Sequence, residues 1–207
     1  MSLTARDISK ERHTKQLIAA AKQAIHKYGV RGATIGRIQE LSGLSRGMIN
    51  TRFDSKENLL EQAVKELSAE YTVLWQRALE QAAPDPLSQL RALVLSDFSV
   101  EVLNEPNITL WFAFRSEAKS RAAYLPYIST REEPLTGMFN RICADLAKHE
   151  GVSEKDGTMA AALLMATLEG LWADYHLHPD EFDRQEAIAL VWHLVQQLFP
   201  NTVSGAE

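Results

Sequence analysis

The 207 residues, 45% hydrophobic and 24% charged, have the balance of a globular chain long enough for one large or two small domains, which excludes a disordered, collagen-like or disulfide-stapled protein. The single cysteine, Cys143, cannot pair within the chain and points to a reducing compartment, the cytoplasm. The net charge of −5, taken alone, counts against a nucleic-acid binder. The longest apolar stretch, Gly157 to Leu168, is too short to span a bilayer, and the charged start after Met1 holds no signal-type apolar region, so no membrane partner is expected.

Helical periodicity runs through the chain, about nine helices in all, and no strand-like alternation persists. Leu17, Ala21, Ala24, Ile25 and Tyr28 recur at helical spacing, with Gly29 as a stop. Thr34 can cap a short helix whose apolar side is Ile35, Ile38 and Leu41. Gly43 supplies a left-handed turn, and Ser45 can cap a third helix with Ile49 and Phe53. Asp54 or Ser55 opens a much longer helix to about Ala82, and Asp54-x-x-Glu57 has the form of a capping box. Pro84 and Pro86 end it. A helix near Leu87 to Leu103 carries Leu90, Leu93, Val94, Phe98 and Val102 before Pro106, and a very apolar segment, Ile108 to Phe114, follows. Pro126 and Pro134 bracket the start of a helix that stops at Gly151. Ser153-x-x-Asp156 caps an Ala/Leu-rich helix to Tyr175, and Asp183-x-x-Glu186 caps a last helix with Ile188, Val191, Trp192, Val195 and Leu198.

Residues 34–53 have the dimensions of a helix-turn-helix, with Ile35, Ile38, Leu44, Ile49 and Phe53 placed to share a small core. The second helix then presents polar residues outward. Arg46 and Arg52 could contact phosphate or read guanine, and Asn50 could read adenine or stand as a passive surface residue. Gly47 permits close approach, and Ser45 and Thr51 add hydroxyls. The helix starts at Thr34 and Ser55 offer amides to phosphate, beside Lys56. The charge supports this division. Residues 1–56 hold 11 Lys/Arg against 4 Asp/Glu, a balance of +7, and residues 57–207 hold 11 against 23, a balance of −12.

The run from Thr34 to Leu60, above all Phe53-x-Ser-Lys-Glu-x-Leu-Leu60, resembles the DNA-binding signature of the TetR family of transcriptional repressors. The resemblance implies that Thr34, Ser45, Gly47, Asn50, Thr51, Arg52 and Lys56 stand at DNA-contacting positions, with Asn50 where the family usually has tyrosine. Trp111-Phe-Ala-Phe114, the Tyr124 to Met138 segment, Leu168-Glu-Gly-Leu-Trp172 and Glu181-Phe-Asp183 are similar to the BetI subgroup, choline-responsive repressors of glycine betaine synthesis. Arg115 and Glu169 stand where that subgroup carries an aromatic and an aspartate. The family pairs its last two long helices across a two-fold axis.

The expected fold is therefore all-α. Residues 1–56 form a helix-turn-helix DNA-binding domain, with the signature running on to about 65, and residues 57–207 a helical effector-binding and dimerisation domain. Trp111, Phe114 and Trp172 could give aromatic faces, and Glu169 or Asp174 a charge, to a cationic effector such as choline, although aromatics at this spacing serve first as core. The expected dimer face is Ala161, Leu164, Leu168, Ile188, Val191, Trp192 and Val195, since helices apolar on more than one side must bury a second face. His176-x-His178 has the wrong spacing for one helix face, so no metal is expected, and no cofactor or catalytic motif is present. Glu132-Glu133 has the character of solvated surface. The partners expected are double-stranded operator DNA, a second copy of the chain and a small molecule. The alternatives are a helical enzyme and a partner-binding module without DNA affinity.

Overall fold

The computed structural model describes residues 4–119, 121–129 and 134–204, and Glu132 and Glu133 lie outside them. Among the described residues there are eleven α-helices, one short 3-10 turn and no strand. Packing divides the chain into two compact units, Met1–Glu70 with Thr109–Ile128, and Tyr71–Ile108 with Ser129–Glu207.

The first unit begins with α1 (Ala5–Gly32), capped by Thr4 and broken at Gly29, whose φ of 70° is open to glycine at little cost. α2 (Ile35–Ser42) and α3 (Arg46–Phe53) follow, then the first half of α4 (Lys56–Gln81). Leu17, Ala21, Ala24 and Ile25 of α1 are fully buried, as are Ile38, Ile49, Leu59 and Leu60. Across α1 and α4, Lys22 pairs with Glu66 at 2.9 Å and Glu70 at 3.0 Å, its own side chain only 16% exposed. The second half of α6 (Glu105–Glu117) and the short α7 (Leu125–Ile128) complete the unit, with Phe114 stacked edge-on against Tyr124.

Two expectations change here. Asp54 does not cap α4: it ends α3 in a left-handed conformation, φ 62°. The cap is Ser55, whose Oγ accepts from the amide of Asn58. Asp54 and Ser55 both satisfy the local capping rule, and the tight α3–α4 corner decides between them. The helix expected to run to Leu103 also stops early, since α5 spans Pro86–Asp97. Beyond it Ser99 and Leu103 close turns, and Asn104 accepts from the amide of Asn107 to open α6.

The second unit packs α5 with α8 (Leu135–Glu150), α9 (Glu154–Leu177), α10 (Arg184–Leu198) and the short α11 (Pro200–Ser204). The short α7 and α11 bring the count above the expected nine. α8 ends at Gly151, φ 75°, and Ser153 with Asp156 forms the reciprocal capping box at the start of α9. α9 lies so close to α8 that a Cβ on Gly157 would sit 2.8 Å from the carbonyl oxygen of Cys143 and 2.9 Å from Cα of Ala144. Asp183 caps α10 by accepting from Gln185 and Glu186. Arg184 then donates to the carbonyls of Phe98 and Leu103, fastening α10 to the chain leaving α5. Cys143 is fully buried between these helices, and burial pushes its thiol up to about 12.

Candidate functional site

The helix-turn-helix is held at its turn. Gly43 takes φ 66°, and its amide donates to the carbonyl of Gln39. Ser42, buried, accepts from the amide of Leu44, and its carbonyl receives Nε2 of Gln16 from α1 at 2.6 Å. Ile38, Ile49 and Phe53 are buried below, with Ile35 and Leu44 half-buried at the margin. This fixes the rotation of α3. With Ile49 and Phe53 inward, Ser45, Arg46, Gly47, Asn50 and Thr51 are all exposed on the other side.

The candidate DNA residues are not equivalent. Thr34 is exposed and caps α2 through the amide of Arg37. The hydroxyl of Ser45 makes no capping bond, so the first amides of α3 stay open. Thr51 donates back to the carbonyl of Gly47 at 2.7 Å. Lys56 is half-buried at the first turn of α4. Arg52 lies nearer the core side of α3, half-buried, its Nε covered and without a hydrogen bond. It lines a depression with Thr14, Ile18, Asn58 and Glu61.

The effector candidates divide between the units. Trp111 and Phe114 are buried in the first. In the second, Trp172 is buried and meets Tyr71 edge-on at 5.6 Å. Glu169 is half-buried, whereas Asp174 is exposed, about 200° around α9 from Trp172. The buried acid of this unit is Asp97, which accepts from the hydroxyl of Tyr71 at 2.7 Å. Burial pushes its carboxyl up to about 7, against the opposing effect of the Tyr71 bond.

The residues expected at a dimer face are mostly spent on the chain's own core. Ala161, Leu164, Leu168, Val191 and Val195 are buried within the single chain, while Ile188 and Trp192 are half-buried. The apolar stripe left outward on α9 is instead Met159, Ala162, Leu163, Ala166 and Gly170, with Leu190 outward on α10. Among the described residues no group of His, Cys, Asp or Glu could hold a metal ion, and no helix is long and apolar enough to cross a membrane.

Comparison with known proteins bears on this geometry. The profile of bacterial regulatory proteins of the tetR family matches residues 17–63, and that of the BetI-type transcriptional repressor C-terminal domain matches residues 86–200. The chain belongs to the TetR family, in its BetI-type branch. This BetI-type chain is 32% identical over 178 residues to the HTH-type transcriptional regulator BetI of Paraburkholderia phytofirmans, a match spanning 84% of this chain and 86% of that one. It is 30% identical over 185 residues to BetI of Pseudomonas aeruginosa PAO1, 88% of this chain and 91% of that one. A solved transcriptional regulator from the same strain superposes with a TM-score of 0.83 at 25% identity, covering 92% and 91% of the two chains. FadR of Bacillus subtilis, solved with stearoyl-CoA, shares the fold at a TM-score of 0.70 and 17% identity, over 89% and 97%. The BetI-type chain is thus a DNA-binding transcriptional repressor and not an enzyme. Regulators of its family bind operator DNA and small-molecule effectors.

The geometry also explains the TetR signature physically. Phe53 closes the core under α3, Ser55 caps α4, and Leu59 and Leu60 anchor that helix below. Residue reasoning missed Gln16, the latch on the turn, which carries no sequence signal of its own. It also missed Asp97, which did carry one: its spacing from Leu90, Leu93 and Val94 puts a carboxylate on the apolar side of α5.

Proposed function

We propose that two copies of this BetI-type repressor pair and hold a palindromic operator in the cytoplasm, residues 1–56 acting as reading head and residues 57–207 as effector-binding and dimerisation body. A cationic small molecule, choline foremost, would relieve repression by favouring a conformer with another spacing of the heads. The observation that carries the DNA reading is the exposed row of Ser45, Arg46, Gly47, Asn50 and Thr51 on a helix whose other side is locked by Ile49 and Phe53. A helix so held can enter a major groove with its first residues at base edges. Thr34 and Lys56 flank it as phosphate contacts, and the head's balance of +7 favours a polyanion. Arg52, partly withdrawn, fits a phosphate contact at the groove edge better than a base contact.

For pairing, the outward stripe of α9 with Leu190 supports the reading better than the buried residues do. Choline as effector is supported by the resemblance of the C-terminal motifs to the choline-responsive BetI subgroup.

The test is binding to the DNA upstream of the protein's own gene, followed by fluorescence anisotropy across a salt series. Arg46→Ala and Lys56→Ala should each weaken binding and flatten the salt slope by about one unit. Unchanged affinity and slope in both would remove the head from the mechanism. Sedimentation should give twice the 23.2 kDa chain mass, and Leu163→Glu should return it to the single-chain value.

A further inference from the structure

We infer that the cleft between α5 and α10, with the guanidinium of Arg91 at its rim, is a binding site for a small monocarboxylate that carries an apolar body, an aryl acid or a short-chain fatty acid. The inference goes beyond the choline reading and does not depend on it.

The cleft lies within the second unit and has a volume of about 190 Å³. Each helix gives it one face, since Arg91, Val94 and Leu95 on α5, and Gln185, Ile188, Ala189 and Trp192 on α10, recur at three- and four-residue intervals. The walls are therefore mainly apolar, with Val94 fully buried and Ile188 and Trp192 half-buried. The volume is below the about 300 Å³ at which pockets for drug-sized ligands begin, so the cleft suits a single ring or a short chain. Among the described residues no carboxylate lines it. The charge there is that of Arg91 alone, in a body whose balance is −12.

Arg91 is held but not satisfied. Its guanidinium carbon lies 5.6 Å from the centroid of the Trp192 ring, and among the described residues it makes neither a hydrogen bond nor an ion pair. Stacking occupies the face of a guanidinium, while its N–H donors lie in the plane of the group and stay open at its edge. That edge fits a carboxylate, which accepts two parallel N–H bonds. The apolar body of the same molecule then covers Ile188, Ala189 and Leu95. A bare phosphate would meet the guanidinium and leave those walls wet, and a cation would be repelled. Arg91 is exposed, so the acid reaches it without opening the fold, at the modest strength of a solvated charge pair.

The experiment is calorimetric titration of the full-length protein at neutral pH with benzoate and hexanoate, with their uncharged amides, and with acetate, which has the head without the body. Benzoate against hexanoate tells a ring from a chain. The wild type should bind at least one of the two acids, favour it over its amide, and bind acetate about 10-fold more weakly or worse. Arg91→Met keeps an apolar stem and removes the charge. It should weaken the acid about 5- to 10-fold and leave the amide nearly unchanged, so the preference collapses. Ala189→Phe fills the cleft while Arg91 remains, and should abolish binding of acid and amide alike. Both positions are exposed, so neither change touches the core. A wild type that binds neither acid overturns the inference, as does acetate binding as tightly as the larger acids. Arg91→Met that keeps the preference, or that lowers acid and amide equally, overturns it too, and so does undiminished binding in Ala189→Phe.

Discussion

Asp97→Asn makes a quantitative prediction about stability. In the folded chain the Asp97 carboxyl titrates at about 7, against a reference of 3.8. Between those values the folded state holds a proton that the unfolded state has lost. Stability is therefore undiminished below about pH 4 and falls as pH rises to about 7, by roughly 1.4 kcal/mol per pH unit and about 4 kcal/mol in all. Asparagine does not ionise and escapes the loss. Urea unfolding of both proteins at one protein concentration isolates the group, because every other titration cancels in the difference. From about pH 5 to about pH 8 the variant should gain about 3 kcal/mol per chain on the wild type. A difference flat across that range would refute the reasoning, since it would mean that Asp97 is solvated or paired in solution.

Arg37 stacks on Tyr28 at 4.0 Å and donates to the carbonyl of Gly32, which holds a cation beside the start of α2. Arg37→Ala should lower operator affinity and reduce the salt slope by about one unit, with Tyr28→Phe near wild type and Tyr28→Leu in between, read by anisotropy. Gln16→Ala leaves the buried turn carbonyl of Ser42 without its donor and should cost about 1–3 kcal/mol in urea unfolding, with a weaker operator complex. Gly157→Ala drives a methyl into the backbone of α8 and should cost about 1–3 kcal/mol by the same assay.

Local chemistry made most of the elements legible. Thr34, Ser153 and Asp183 cap the helices their side chains suggested, Gly43 takes the left-handed turn expected of it, and Gly151 ends its helix as expected, with φ 75°. The helix-turn-helix was legible for the same reason, since its core is built from residues close in sequence. What escaped depends on distant parts of the chain. α9 is apolar on two sides, and periodicity alone cannot say which side meets its own α8. The backbone clearance at Gly157 decides that, turning Ala161, Leu164 and Leu168 inward and Leu163 outward. Asp97 was passed over because it lacks a motif, although its place in the apolar register of α5 was visible. The end of α5 was missed because Val102 continues the helical spacing, while Ser99 and Arg184 bind the backbone there in turns.

The lone thiol has a practical consequence. Cys143 is fully buried and holds its proton up to about 12, so thiol-directed probes at neutral pH leave the native chain unmarked. A single cysteine placed at the exposed Gln23 position of α1, away from the DNA-reading row, would then carry the only label on each chain, with no background site to remove. In a pair of chains, two such labels form a ruler between the heads. Spin-label distances with and without DNA or choline would report whether the spacing of the heads changes, as the proposed release from the operator requires.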